Sequence, residues 1–93
     1  MTQMTHINGK NTGSIRLYAL STCIWCKKTK KLLDKLGVDY DYVFVDLLSG
    51  EEKQQVMDEI YKWNPRGSFP TMVIDQDCIV GFKEDKIRER LSV

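Results

Sequence analysis

Cys23 and Cys26 stand two residues apart in Cys23-Ile24-Trp25-Cys26, between an expected strand from Ser14 to Leu20 and an expected helix from Ile24 to Leu36. A thiol at a helix start faces unsatisfied backbone N–H groups and the positive end of the macrodipole, and both favour the thiolate, the nucleophilic form of sulfur. The pair therefore predicts thiol chemistry with unequal roles. Cys23 sits at the helix mouth as the attacking group. Cys26, one turn in, shares an apolar stripe with Thr29, Leu33 and Leu36 and points toward the core, shielded until needed. The same spacing suits a metal, zinc or an iron–sulfur cluster. A zinc site of four protein ligands would have to recruit Cys78 and the lone His6, whereas structural zinc sites usually show two tight ligand pairs.

At 93 residues the chain is long enough for one small domain with a modest core and too short for two. A net charge of +1 gives no general electrostatic reason to bind nucleic acid or an anionic membrane, so neither partner is expected. Three cysteines, one close pair and one apart, do not form the even, dispersed framework of small secreted domains; a reducing compartment, the cytoplasm, is expected. Met1 to Gly13 has no apolar run, so it reads as neither signal peptide nor membrane span but as a mobile tail ahead of a domain at 14–93, with His6 an exposed spectator.

The elements that must position the thiols follow from periodicity and breakers. Ile15 to Leu20 suits a largely buried strand, and Gly37 supplies a stop for the helix behind the thiols. Tyr40 to Val45 is aromatic and β-branched, as a strand is. Ser49-Gly50-Glu51-Glu52 has the spacing of a capping box, followed by the helical stripe Val56, Met57, Ile60, Trp63. Asn64-Pro65-Arg66-Gly67 breaks that helix, Thr71 to Ile74 and Cys78 to Val80 form a hairpin around Asp75-Gln76-Asp77, and Lys83 to Leu91 is a short charged helix with Ile87 and Leu91 inward. The expected fold class is α/β, in the order β-α-β-α-β-β-α. A right-handed crossover and a hairpin share one four-stranded mixed sheet, with helices on both faces.

With Cys23-x-x-Cys26 after the first strand, Phe69-Pro70-Thr71 before the third, and Gly81-Phe82 before the last helix, the chain from about Ser14 to Leu91 resembles the glutaredoxin family of the thioredoxin fold. The resemblance implies that Pro70 is cis and lies against the cysteines, with the residue before it offering backbone N–H and C=O to an extended substrate segment. Where many glutaredoxins have Pro-Tyr between the cysteines this chain has Ile24-Trp25, and Leu20-Ser21-Thr22 lacks the basic residue that would pair a glutathione carboxylate. Gly81-Phe82-Lys83-Glu84-Asp85 is closer to the Gly-Phe-x-x-Asp pattern of the glutaredoxin-like hydrogen donors of ribonucleotide reductase, although Gly50 to Ser68 is longer than in those proteins.

What the resemblance implies is a dithiol–disulfide oxidoreductase with no bound cofactor. It would act as a monomeric carrier between disulfide-containing substrates and an external electron donor, a thioredoxin-reductase-type enzyme in preference to glutathione. Cys23 and Cys26 are the catalytic pair. Trp25, Phe69, Pro70, Thr71, Gly81 and Phe82 are the expected substrate-groove residues, with Trp25 at the rim, Gly81 allowing close backbone approach and the Phe82 ring closing one wall; the alternative for Trp25, Thr71, Gly81 and Phe82 is ordinary packing, and for Pro70 the start of a strand. Lys27 and Lys30 either add positive potential near Cys23 or form the solvated face of the helix, and Cys78 reads as a small buried hydrophobe. Among glutaredoxins a cluster bridged between two subunits, each giving one cysteine, is the alternative use of the same thiols.

Overall fold

The computed structural model describes residues 4–91. Along the chain run β1 (Thr5–Ile7), β2 (Ile15–Ala19), α1 (Ile24–Leu36), β3 (Tyr40–Phe44), a 3-10 turn (Val45–Leu47), α2 (Gly50–Trp63), β4 (Thr71–Ile74), β5 (Asp77–Val80) and α3 (Glu84–Leu91). One mixed sheet has the order β1-β3-β2-β4-β5, in which β2 and β3 are parallel and the other neighbours antiparallel. The α/β thioredoxin-like arrangement is the expected one, with a fifth strand added at the edge.

Alternation along β2 divides the core between the two faces. Ile15, Leu17 and Ala19 pack with Cys26, Leu32 and Leu33 of α1 and with Ile87 and Leu91 of α3. Tyr18, one residue out of phase, packs with Val56 and Ile60 of α2 and with Val43, Val45 and Val73. Thus α1 and α3 cover one face and α2 the other. Arg16 and Tyr18 both reach Glu59 of α2, at 2.6 and 2.7 Å, so the polar partner of the buried Tyr18 ring comes from the helix it packs against. Tyr18, deprived of water and bonded to a carboxylate, is held well above the usual phenol range.

Two local expectations need correction. The segment read as a mobile tail contains β1, registered as Thr5 with Tyr42, His6 with Asp41 and Ile7 with Tyr40. His6 Nδ1 lies 2.7 Å from Asp41 Oδ1 and Nε2 lies 3.3 Å from Asp39 Oδ1, and Lys10 bridges to Val38. A three-residue strand has too little apolar periodicity to announce itself; the paired edge of β3 and the two carboxylates make it. The expected tail residues Met1 to Gln3 lie outside the described residues. The second correction concerns α2. Ser49 is its N-cap residue, but its hydroxyl makes no capping hydrogen bond. Gly50 follows at φ +58°, away from the helical backbone that a reciprocal Ser49–Glu52 box requires.

Gly37 ends α1 as expected, in left-handed backbone, its N–H donating to the carbonyls of Leu33 and Asp34. The hairpin turn is tighter than expected. Ile74 pairs with Asp77, leaving Asp75 and Gln76 as the loop, and Arg90 of α3 ties the turn down through Asp75 at 3.2 Å and Asp77 at 2.8 Å.

Candidate active site

Both parallel strands point their C-terminal ends at the same place, and the thiols sit where β2 runs into α1. Cys23 is the N-cap residue of α1, extended at φ −89° and ψ 119°, and its sulfur accepts a hydrogen bond from the Cys26 N–H at 3.3 Å. The sulfur thus occupies the position a serine or aspartate oxygen takes at an ordinary helix start, and a donor points at it where negative charge would form. Cys23 is partly buried, Cys26 fully so at 1% exposure, and both are free thiols. Cys26 is pushed up to about 12. Burial away from water is the main cause, followed by the hydrogen bond with Cys23, and a backbone hydrogen bond from Leu20 pulls the other way.

The preceding turn is fastened from just past the neighbouring strand. Asp46, in the 3-10 turn that follows β3, accepts from the Ser21 backbone N–H at 2.8 Å and from its hydroxyl, bonds that hold the carboxylate below its ordinary range. Cys23 N–H closes the turn on Leu20 O at 3.3 Å. Sequence reading missed Asp46, because an aspartate after a strand carries no local signal of a partner 25 positions away.

Phe69–Pro70 is a cis peptide bond. Phe69 packs against the clusters on both faces of the sheet, and its backbone takes part in none of the turn and loop hydrogen bonds among the described residues. Pro70 is buried and its carbonyl accepts from Gly81 N–H at 2.9 Å, which joins the loop before β4 to the end of β5. Gly81 has φ +84°, a conformation that favours glycine, and a Cβ there would meet open space. Within the protein itself its requirement is the backbone conformation. Phe82 follows, and its ring stacks on Trp25 with centroids 6.2 Å apart and planes 23° from parallel.

Of the expected groove residues, Phe69 and Phe82 pack against the same core cluster as Cys23 and Cys26, Trp25 is exposed against the Phe82 ring, and Pro70 is joined to Gly81. Thr71 does not line a groove. It is fully buried, its hydroxyl donating to Ser68 O at 2.8 Å and accepting from Asn64 Nδ2 at 3.1 Å. Asn64 is the centre of that loop: Nδ2 also reaches Ser68 O, Oδ1 accepts from Arg66 N–H, and the backbone carbonyl accepts from Gly67 N–H. In the sequence Asn64 reads only as a breaker before Pro65; its burial is what makes it an organiser.

Trp25 is 53% exposed, Ile24 beside it is also exposed, and Leu47, next to Asp46, adds a third apolar side chain. Lys28 lies over the Trp25 ring, 4.7 Å from its centroid. Lys30 is occupied elsewhere, paired with Asp34 at 3.2 Å and lying 4.9 Å from the Tyr42 ring centroid. Cys78 is on β5, partly buried, with its thiol held up by that burial. His6 on β1 and Cys78 on β5 belong to opposite edges of the five-stranded sheet, roughly 19 Å apart at the usual strand spacing, so a zinc set joining them to the cysteine pair does not converge. No helix among the described residues is long and apolar enough to cross a membrane.

Comparison with known proteins agrees with this geometry. The family model described as Glutaredoxin matches residues 15–79. An uncharacterized glutaredoxin-like 8.6 kDa protein in the rubredoxin operon of Clostridium pasteurianum is 33% identical over 73 residues, 78% of this chain and 91% of its own length. The crystal structure of Methanosarcina acetivorans methanoredoxin superimposes with a TM-score of 0.88 at 56% identity, covering 91% of this chain and 90% of the other. That of the glutaredoxin from Methanosarcina mazei Go1 gives 0.89 at 52% identity, covering 99% and 90%. A cysteine pair capping the first sheet-covering helix, a cis-proline loop beside it and these likenesses lead to one conclusion: the chain belongs to the glutaredoxin family, thioredoxin-fold proteins of thiol–disulfide redox chemistry.

Proposed function

We propose that the protein is a dithiol–disulfide oxidoreductase that reduces disulfides of proteins or small molecules, with Cys23 as attacker and Cys26 as resolver. The observation that carries this reading is the hydrogen bond from Cys26 N–H to a partly exposed Cys23 sulfur, beside a fully buried Cys26 thiol. The Cys23 thiolate attacks one sulfur of the substrate disulfide. A Cys23–substrate disulfide forms, the substrate bond breaks, and the first substrate sulfur leaves and takes a proton. Cys26 then gives up its proton and attacks Cys23, releasing the second substrate thiol and leaving a Cys23–Cys26 disulfide. The substrate has gained two electrons and two protons, and the protein has lost them.

The order of events has a physical cause. Two of the influences that keep the Cys26 proton in place are its hydrogen bond with Cys23 and the negative charge of Cys23, and both disappear once Cys23 is consumed in the mixed disulfide. Burial remains, so Cys26 is shielded from outside oxidants while its neighbour is free and is released for attack once that neighbour is bound. Substrate backbone would lie along Phe69, whose backbone takes part in none of the turn and loop hydrogen bonds among the described residues, and its side chains against Trp25 and Phe82.

An external donor resets the pair, and we assign that role to a thioredoxin-reductase-type enzyme in a reducing, cytoplasmic setting. The support is the Gly81-Phe82-x-x-Asp85 pattern and the absence of a cation at Leu20-Ser21-Thr22 to hold a glutathione carboxylate. The test is insulin reduction followed in parallel with a thioredoxin reductase and with glutathione plus its reductase. Turnover with the first donor, lost in Cys23→Ser, and mixed disulfides trapped by Cys26→Ser are the expected results. Strong preference for glutathione overturns the donor assignment, and an active Cys23→Ser overturns the mechanism.

A further inference from the structure

Between α1 and α3 runs a cleft of about 710 Å³, with Leu32 and Phe82 among its lining residues and Lys28, Lys31, Lys35 and Arg88 along its walls. Phe82, one of its lining residues, stacks on Trp25, so the cleft adjoins the aromatic rim of the thiol site. The two acids of its lining are already matched: Asp34 takes Lys30 at 3.2 Å and Glu84 takes Arg88 at 2.7 Å. Lys31 and Lys35 have no ion pair among the described residues, and Lys28 rests only on the Trp25 ring. Helix α1 carries five lysines and one aspartate, while the whole chain is only +1, so the rest of the molecule is net negative and the charge is segregated onto this face. Such an asymmetry orients an approaching molecule as well as attracting it.

We propose that this cleft docks an acidic segment of a protein partner, holding the partner so that its disulfide meets Cys23. The proposal rests on the oxidoreductase reading and adds the partner's chemistry to it. Lys28, Lys31 and Lys35 span two helical turns, roughly 10 Å, too far for one small carboxylate to bridge and suited to acidic side chains about 7 Å apart on alternate positions of an extended segment. Leu32 and Phe82 supply apolar contact for the segment between its charges.

The test compares peptide disulfides of identical core with Glu/Asp-rich, neutral or Lys-rich flanks, with uncharged 2-hydroxyethyl disulfide as reference, for wild type and K31E/K35E. Wild type is expected to favour the acidic peptide over the neutral one by about tenfold in kcat/KM, carried by KM and shrinking as salt rises. K31E/K35E loses that preference and turns over the small disulfide as wild type does. Equal turnover of acidic and neutral peptides, or a preference that survives in K31E/K35E, overturns the proposal. A disulfide-free acidic peptide is titrated separately by NMR and is expected to shift the amides of Lys31, Leu32 and Lys35. Absence of that shift, or a tighter response to a single-stranded oligonucleotide, also overturns it. Failure of wild type to reduce 2-hydroxyethyl disulfide strikes the oxidoreductase reading instead, and the titration still decides the docking surface.

Discussion

Trp25 and Phe82, 57 positions apart in sequence, stack ring on ring with centroids 6.2 Å apart. Trp25 stands two residues after Cys23, and Phe82 follows Gly81, whose N–H bonds to the cis-proline carbonyl. The pair therefore links the α1 side of the site to the Pro70 side. Trp25→Ala and Phe82→Ala should each lower kcat/KM for a protein disulfide by about five- to tenfold, as loss of an aromatic contact anchor does. A double-mutant cycle on folding stability should give a coupling of about 1 kcal/mol, and a coupling near zero would show that the rings merely coincide.

Resolution of the mixed disulfide should be governed by pH. Cys26 holds its proton up to about 12 in the free dithiol, so at neutral pH the thiolate is the scarce species. Its attack on a preformed Cys23–substrate disulfide should accelerate about tenfold per pH unit through the mildly alkaline range and level off below 12, because the charge of Cys23 is then gone. Asp46 contributes to raising Cys26. Asp46→Asn should therefore displace the profile to lower pH. Stopped-flow measurement of single-turnover release is the check, and a flat profile would contradict it.

The loop before Pro70 should be held by one buried amide. Asn64 is 5% exposed and Nδ2 serves Ser68 and Thr71 while Oδ1 serves Arg66. Asn64→Ala should cost about 2 kcal/mol in chemical denaturation, since the fully buried Thr71 hydroxyl loses a bond that no water replaces. Residual activity at temperatures where the variant is folded should also fall, because Phe69 is placed by the same loop. Unchanged stability would mean that Asn64 follows the loop instead of organising it.

The docking of β1 should weaken as the solution turns alkaline. His6 faces Asp41 and Asp39, and the hydrogen bond to Asp41 followed by the attraction of both carboxylates raises it above its ordinary 6.5. A group raised on folding stabilises fully below its unfolded value, and the contribution is lost as pH climbs through the folded value, here from about 6.5 upward. NMR shifts of Thr5–Ile7 should report loss of strand pairing across that window, with the response flattened in Asp41→Asn. Invariant shifts in wild type would remove His6 as the clasp.

Much of the site was legible because its chemistry is local. The Cys23–Cys26 spacing, the stripe that buries Cys26 and Thr29, and the stop at Gly37 all lie within one helix and its caps. The order of elements was legible for the same reason: each of α1, α2 and the hairpin strands carries its own period. What escaped were polar residues whose partners are distant in sequence. Asp46 reads as a loop acid until Ser21 is seen against it, and Asn64 as a breaker until it is found buried. Local signals also misled. Ser49 and Glu52 have capping-box spacing, yet Gly50 diverts the backbone, and Thr71 borders the cis proline yet turns its hydroxyl into the protein.

The added strand β1 has a consequence for solubility. Without it, β3 would end the sheet with an unpaired backbone ladder carrying Tyr40, Tyr42, Val43 and Phe44, a run of the aromatic and branched residues that recruit foreign strands. Three residues suffice to sheathe it, and the new margin is short and studded with Thr5 and His6, which offers little for another molecule to zip onto. The segment that looks dispensable by composition is thus the selvedge of the sheet, covering the edge of β3 on which a foreign strand could otherwise pair.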